Sequence, residues 1–278
     1  MAQAALGDAL LEKKLLREAT DSYREAVRLE PQSADYHGRF GLALAEANQR
    51  EQAIKELMES IRLDTNQSQV HYNLGFVLER KEEWDLAIDA YQEAIRLNPD
   101  YARAHCNLGN ALRAKGRFRE ALAAVRRGHE LGQKQRDWPF PSADWVRQAE
   151  RLVALDDQLP AALRGQVKLD ARGMLEFASL CSTKKLHAAA ARFYQDAFAA
   201  EPRLADNLQP GHRYNAACAA VLAAAGDCED SVNLDESARA RWRKQALKWL
   251  VELVHLAQGE PSGTPKQVRH NILANNDL

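Results

Sequence analysis

Small and apolar residues return along the first half of the chain at a fixed step of 34. Leu6, Phe40, Leu74 and Leu108 each precede a glycine, Gly7, Gly41, Gly75 and Gly109. The same step links Leu10, Leu44, Leu78 and Leu112, and then Ala19, Ala53, Ala87 and Ala121. It also links Tyr23, Leu57, Tyr91 and Val125, and the small residues Ala26, Ser60, Ala94 and Gly128. Pro31 and Pro99 close the first and third units, where the second and fourth carry Thr65 and Gln133.

Within one unit the spacing is helical. Leu74, Gly75 and Leu78 fall on one face of a first helix, and Ala87, Tyr91 and Ala94 on one face of a second. Small residues at Gly75, Ala87 and Ala94 let two helix backbones approach closely while the large ones fill the spaces beside them. Asn48-Gln49, Lys81-Glu82-Glu83 and Lys115-Gly116-Arg117 read as the turns between paired helices. Each pair has an apolar face too large to bury alone, and stacking neighbours completes the core.

Residues 1–135 resemble, on these positions, the tetratricopeptide repeat (TPR) family. The resemblance implies an all-α, right-handed superhelix, an α-solenoid of antiparallel helix pairs. It also implies a scaffold that binds other proteins in a concave groove lined by the first helix of each unit. Phe177-Ala178, Ala190, Tyr194, Ala197 and Pro202 repeat the TPR spacing, and Tyr214-Asn215-Ala216-Ala217 with Ala246, Leu250 and Leu253 opens a further unit. The expected organisation is four regular units over residues 1–135, a linker and atypical helix over 136–170, two degenerate units over 171–258, and a polar segment over 259–278. The last degenerate unit carries an insertion at about 227–240, holding Asp227, Glu229, Asp230, Asp235 and Glu236.

Two stretches, residues 144–151 and 211–219, resemble segments of the TPR regions C-terminal to the catalytic domain in bacterial serine/threonine protein kinases. That likeness covers about residues 136–255 and implies an alternative, a regulatory or sensor segment of a kinase whose catalytic domain is elsewhere. No Gly-rich phosphate loop, His-Arg-Asp or Asp-Phe-Gly occurs in the sequence. No polar capping helix precedes the first unit, as expected of a piece of a longer chain.

Composition agrees with helices. The 278 residues include 48 Ala and 36 Leu but only 5 Ile and 12 Val, which excludes a sandwich or barrel. Lys plus Arg is 38 against 39 Asp plus Glu, so no global basic field invites nucleic acid. Cys106, Cys181, Cys218 and Cys228 form no CxxC pair, and four scattered thiols point to a reducing compartment. The longest uncharged run, Ala216 to Ala225, is too short to span a bilayer, and the start lacks a signal-peptide pattern. The expectation is a soluble, cytoplasmic, monomeric protein without a membrane partner.

Candidate chemistry is sparse. His37, His71 and His105 recur at the 34-residue step, but stacked helices stand roughly 8–10 Å apart and zinc bonds His at about 2.0–2.1 Å. They read as bulky residues wedged between helices, with no metal and no cofactor. Glu82-Glu83 and Asp156-Asp157 read as solvated surface, with no nucleophile–base arrangement, so no enzyme activity is expected. The run Arg239, Arg241, Arg243, Lys244 and Lys248 with Trp242 and Trp249 reads as a packed helix with a wet side.

The functional signal lies on the stripe opposite the packing residues. Gln69, Tyr72, Asn73, Phe76 and Arg80 share it in the third unit, and Arg103, Cys106, Asn107, Asn110 and Arg113 in the fourth. Asn73, Asn107 and Asn215 each precede the small-residue pair, and an Asn amide can pair with the N–H and C=O of an extended peptide. The TPR resemblance implies this role for them. Residues 1–101 balance at −7 and residues 102–135 at +6, with Asp8, Glu12, Asp35 and Glu46 on the early stripe. A partner with an acidic segment or C-terminus is therefore expected at the third and fourth units.

Overall fold

Every apolar stripe of the repeat folds as a helix. In the computed structural model, residues 2–206, 211–226, 228–232 and 234–259 are described, and they contain helices and turns but no strand. The helices pair in sequence as α1 (Ala2–Glu12) with α2 (Leu16–Leu29), and α3 (Ala34–Glu46) with α4 (Arg50–Leu63). They continue as α5 (Ser68–Glu79) with α6 (Trp84–Leu97), and α7 (Ala102–Ala114) with α8 (Phe118–Gln133). A long α9 (Ser142–Leu163) follows, then α10 (Ala171–Thr183) with α11 (His187–Ala200). A short α12 (Arg203–Asp206) leads to α13 (His212–Ala225) and α14 (Glu236–Gly259). The fold is an all-α array of antiparallel helix pairs. The chain divides into two compact units, Met1–Val153 and Ala154–Leu278, with the division inside α9.

The recurring positions are the core. Ala19, Ala53, Ala87, Tyr23, Leu57 and Tyr91 are fully buried, and so are Phe177, Ala178, Ala190 and Tyr194 of the later pair. A Cβ on Gly75 would stand 2.8 Å from the Tyr91 ring, and one on Gly109 would stand 2.4 Å from Val125. The close approach that the small residues suggested is therefore real, and it explains why no side chain fits there.

The turn inside each pair from α1–α2 to α7–α8, and inside α10–α11, has one backbone form. Lys14, Asn48, Glu82 and Gly116 sit 34 apart with φ of 57°, 59°, 60° and 72°, and Lys185 has φ 59° in the later pair. The next residue's N–H reaches back five residues in each, as in Gln49 to Leu44 O at 2.9 Å and Glu83 to Leu78 O at 3.0 Å. This left-handed closure satisfies helix-end carbonyls and needs no side-chain cap. The histidines secure the other turn. Nε2 of His37, His71 and His105 donates to the carbonyls of Pro31, Thr65 and Pro99 at 3.1, 3.3 and 3.0 Å. They are packed between helices as expected, and each also binds the loop that joins one pair to the next.

In the second compact unit, Arg213 is buried and bonds Asp206 at 2.7 Å, Ala205 O at 3.2 Å and Glu252, tying α12, α13 and α14 together. The extra residues of the last pair form a loop from Gly226 and additional turns, so that α14 runs for 24 residues. Asp230 of that loop accepts from the Ala189 N–H at 2.8 Å, at the start of α11. Asp227 and the C-terminal segment beyond Gly259 lie outside the described residues. Among the described residues no helix is long and apolar enough to cross a membrane.

Candidate functional site

The first helices α5 and α7 place the predicted stripe together in the first compact unit. Tyr72 stands with its ring centroid 4.9 Å from Tyr101 and 5.9 Å from Tyr91, a three-ring wall along the two helices. Tyr101, at the N-terminal edge of α7, donates its hydroxyl to Gln69 Oε1 at 2.6 Å and so bridges the two repeats. Tyr91 donates to Glu79 at 2.6 Å. Burial raises the Glu79 carboxyl above its ordinary value, and the Tyr91 bond with the charges of Arg113 and Arg80 pulls it back down. Burial also raises the Tyr72, Tyr91 and Tyr101 hydroxyls, so all three remain neutral donors.

The asparagines have different fates. Asn73 is buried, and its Oδ1 accepts from Gln69 Nε2 at 2.9 Å. Asn107 donates Nδ2 to the Tyr72 and Tyr91 hydroxyls, each at 3.3 Å, which leaves its Oδ1 as a free acceptor. Asn110 is half-buried one turn further along α7 and makes no side-chain hydrogen bond among the described residues. Asn215 is not part of this cluster. It lies on α13 in the second compact unit, bonded to Tyr194 at a cleft of roughly 260 Å³ shared with His187, Thr183 and Cys218.

The arginines are available. Arg80, Arg103 and Arg113 are exposed, and among the described residues none forms an ion pair. Arg80 lies over the Phe76 ring at 5.3 Å, and Arg103 over the Phe140 ring at 5.2 Å. By contrast the second helices neutralise their own charges, with Arg28–Glu25, Arg62–Glu59 and Arg96–Glu93 paired at 2.6 to 2.7 Å. The acids at the early end are partly spent: Arg39 reaches Asp8 at 2.5 Å and Asp35 at 2.9 Å. Glu12 and Glu46 remain exposed without an ion pair among the described residues, so acids at the early end stand opposite the unpaired arginines of the third and fourth units.

Sequence spacing missed three contributors. Glu79 carries no motif, Tyr101 lies just before its helix, and Phe140 belongs to the linker outside the repeat. The linker is aromatic. Trp138 packs against Gly132, where a Cβ would meet the ring at 2.4 Å, and its Nε1 donates to buried Ser142 at 2.9 Å. Burial pushes the Cys106 thiol up to about 11 and Cys181 to about 12, so neither is a ready nucleophile at neutral pH. Among the described residues no three His, Cys, Asp or Glu side chains gather as a metal site.

Residues 80–116 match the family model described as TPR repeat, and residues 2–33 and 102–131 match that described as tetratricopeptide repeat. Residues 2–33 and 80–131 carry tetratricopeptide repeats. All matched residues lie within the first compact unit. Comparison with curated proteins gave no match. Similar solved structures include a MamA protein, at 20% identity over 73% of this chain and 91% of that chain, with a TM-score of 0.45. MamA from residue 41 onward of Desulfovibrio magneticus RS-1 is 16% identical over 73% and 94%, with a TM-score of 0.46. The OM64 TPR domain of Arabidopsis is 20% identical over 40% and 91%, with a TM-score of 0.39.

Proposed function

We propose that the TPR array is a protein-interaction scaffold that holds an extended, acidic peptide segment or C-terminus along α5 and α7. The observation that carries this reading is the set of three exposed arginines, Arg80, Arg103 and Arg113, with no ion-pair partner among the described residues. They flank a wall of three tyrosines, Tyr91 buried and Tyr72 and Tyr101 half-buried, so carboxylates find unpaired guanidinium groups beside apolar surface. Asn107 Oδ1 is placed to accept a peptide N–H, and Asn110 offers both a donor and an acceptor; buried Asn73 contributes by holding Gln69. Tyr72 and Phe76 receive apolar side chains. Charge complementarity here sets orientation and on-rate more than affinity. The scaffold performs no chemistry of its own.

A peptide array screened at low and moderate salt tests this, with wild type and the double variant Arg103→Ala/Arg113→Ala. Acidic peptides are expected to be enriched by wild type, and the enrichment to fall with salt and with the double substitution. Equal retention of acidic and neutral peptides by both proteins contradicts the reading.

A further inference from the structure

The second helices carry an apolar cleft that the repeat does not explain. A space of roughly 430 Å³ lies between α4 and α6, floored by Ile54, Ile61, Leu74 and Leu78 and walled by Met58 and Leu86. Met58 is 58% and Leu86 54% exposed, high values for such large apolar side chains. Their equivalents show that this is local. At the position of Met58 the other regular units carry Arg24, Gln92 and Arg126, and at that of Leu86 they carry Glu18, Gln52 and Glu120. Ala90, on the α6 wall, stands where the preceding unit has Glu56. The same groove one repeat earlier is therefore charged, and one repeat later it is rimmed by Gln92 and Glu120. Solvent exposure gives no reason for apolar residues to replace polar ones on both walls of a single cleft.

The rim is acidic. Glu83, Asp89 and Glu93 line it, and no Lys or Arg does. Glu83 is held by Lys81 at 2.9 Å and Glu93 by Arg96 at 2.7 Å, whereas Asp89 has no ion pair among the described residues. Ile54, Met58 and Ile61 run at i, i+4 and i+7 along α4, about 10 Å at the helical rise. An amphipathic helix repeats its apolar side chains at that same interval.

We propose that this cleft is a second docking site, for an amphipathic helix of a partner protein whose apolar stripe is flanked by Lys or Arg. The stripe packs between Met58 and Leu86, and a basic side chain pairs with Asp89. The walls of the site lie on the second helices, with Leu74 and Leu78 of α5 in its floor, and it shares no residue with the acidic-peptide groove on α5 and α7.

Two synthetic helical peptides of about 15 residues test it, each with Leu at i, i+4 and i+7. One carries Lys at the flanking positions and the other Glu, and both are titrated into the full chain by fluorescence anisotropy. The Lys peptide is expected to bind at least about threefold tighter than the Glu peptide, the scale of exposed charge pairing. Met58→Gln/Leu86→Gln installs residues that other repeats carry at these positions. It is expected to weaken binding by at least about tenfold with an unchanged circular dichroism spectrum and Tm. Asp89→Lys, the residue type at position 55, is expected to reverse the preference toward the Glu peptide. Arg103→Ala/Arg113→Ala is expected to leave all three results unchanged. The proposal is overturned if neither peptide binds, if the double Gln variant binds as wild type does, or if the preference survives Asp89→Lys. It is also overturned if sedimentation shows self-association that Met58→Gln/Leu86→Gln abolishes, because the occupant is then a second copy.

Discussion

Replacing Gly75 by alanine asks whether close helix approach holds the array together. A Cβ at this position would stand 2.8 Å from Tyr91 Cδ1 and Cε1 and 3.1 Å from Cγ. Non-bonded carbons settle at about 3.5–4.0 Å, so the ring or the helix must retreat by about 0.7 Å. Tyr91 has little room to do so. It is fully buried, its hydroxyl bonds Glu79 at 2.6 Å, and Asn107 donates to it at 3.3 Å. Overpacking of this kind costs about 1–3 kcal/mol. Alanine also gains about 1 kcal/mol of helix propensity over glycine. The expected net result is a loss of about 1 kcal/mol for Gly75→Ala and about 3 kcal/mol for Gly75→Leu, the bulkier intrusion. Urea unfolding followed by circular dichroism gives the sign, and amide exchange in α5 and α6 localises the loss. If Gly75→Ala is instead stabilised by about 1 kcal/mol, propensity alone governs the position and the packing argument is wrong.

The remaining expectations concern turns, pH and the buried arginine. Glu82 pays for a left-handed conformation, so Glu82→Gly is expected to raise stability by a few tenths to about 1 kcal/mol and Gly116→Ala to lower it by about 1 kcal/mol; thermal melts with the signs reversed would refute the turn assignment. Burial lowers the pKa of His105, His187 and His212, so each binds its proton more readily unfolded than folded. Their contribution to stability is present above about pH 6.5 and is lost as pH falls below it, whereas buried Glu79, with a raised pKa, favours the folded state more at the acid end. Comparing His105→Gln with wild type between pH 7.5 and 5.5 isolates one imidazole, and the variant's Tm should fall less steeply on acidification; an equal or steeper fall contradicts the sign. Arg213→Met removes a buried guanidinium from Asp206, Glu252 and Ala205 O, and since both acids can turn to water the expected loss is about 1–3 kcal/mol in calorimetry.

What the sequence made legible follows from where side-chain size is constrained. Gly75, Ala87, Tyr91 and their equivalents each face a neighbour at fixed distance, so residue type itself reports position, and the repeat could be read to the residue. The left-handed turn could not, because Lys14, Asn48, Glu82 and Gly116 share a backbone conformation and no chemistry. The histidines were seen to recur, but their bonds to loop carbonyls depend on backbone atoms that no residue type marks. At the site, Asn73 and Asn107 occupy one repeat position and were given one role from sequence. Their partners, Gln69 for one and two tyrosine hydroxyls for the other, differ because the positions of Tyr72 and Tyr91 hold Gly38 and Leu57 one repeat earlier, and that of Gln69 holds Arg103 one repeat later. Arg103 gained Phe140 from outside the repeat, where no periodicity points. The extra residues of the last pair read as an insertion, yet most extend helices, since helix length is free wherever the added turns keep the packing stripe in phase.

An acidic segment is expected to lie along α5 and α7 against the unpaired arginines. Nuclear magnetic resonance of the labelled chain, titrated with an acidic peptide selected from the array, reads this directly from backbone amides and Arg Nε–Hε signals. Saturable shifts are expected at Arg80, Arg103 and Arg113 and at the side-chain amides of Asn107 and Asn110, with α4 and α6 surface signals unmoved. Shifts that leave those arginines untouched, or that cluster instead on the second helices, contradict it.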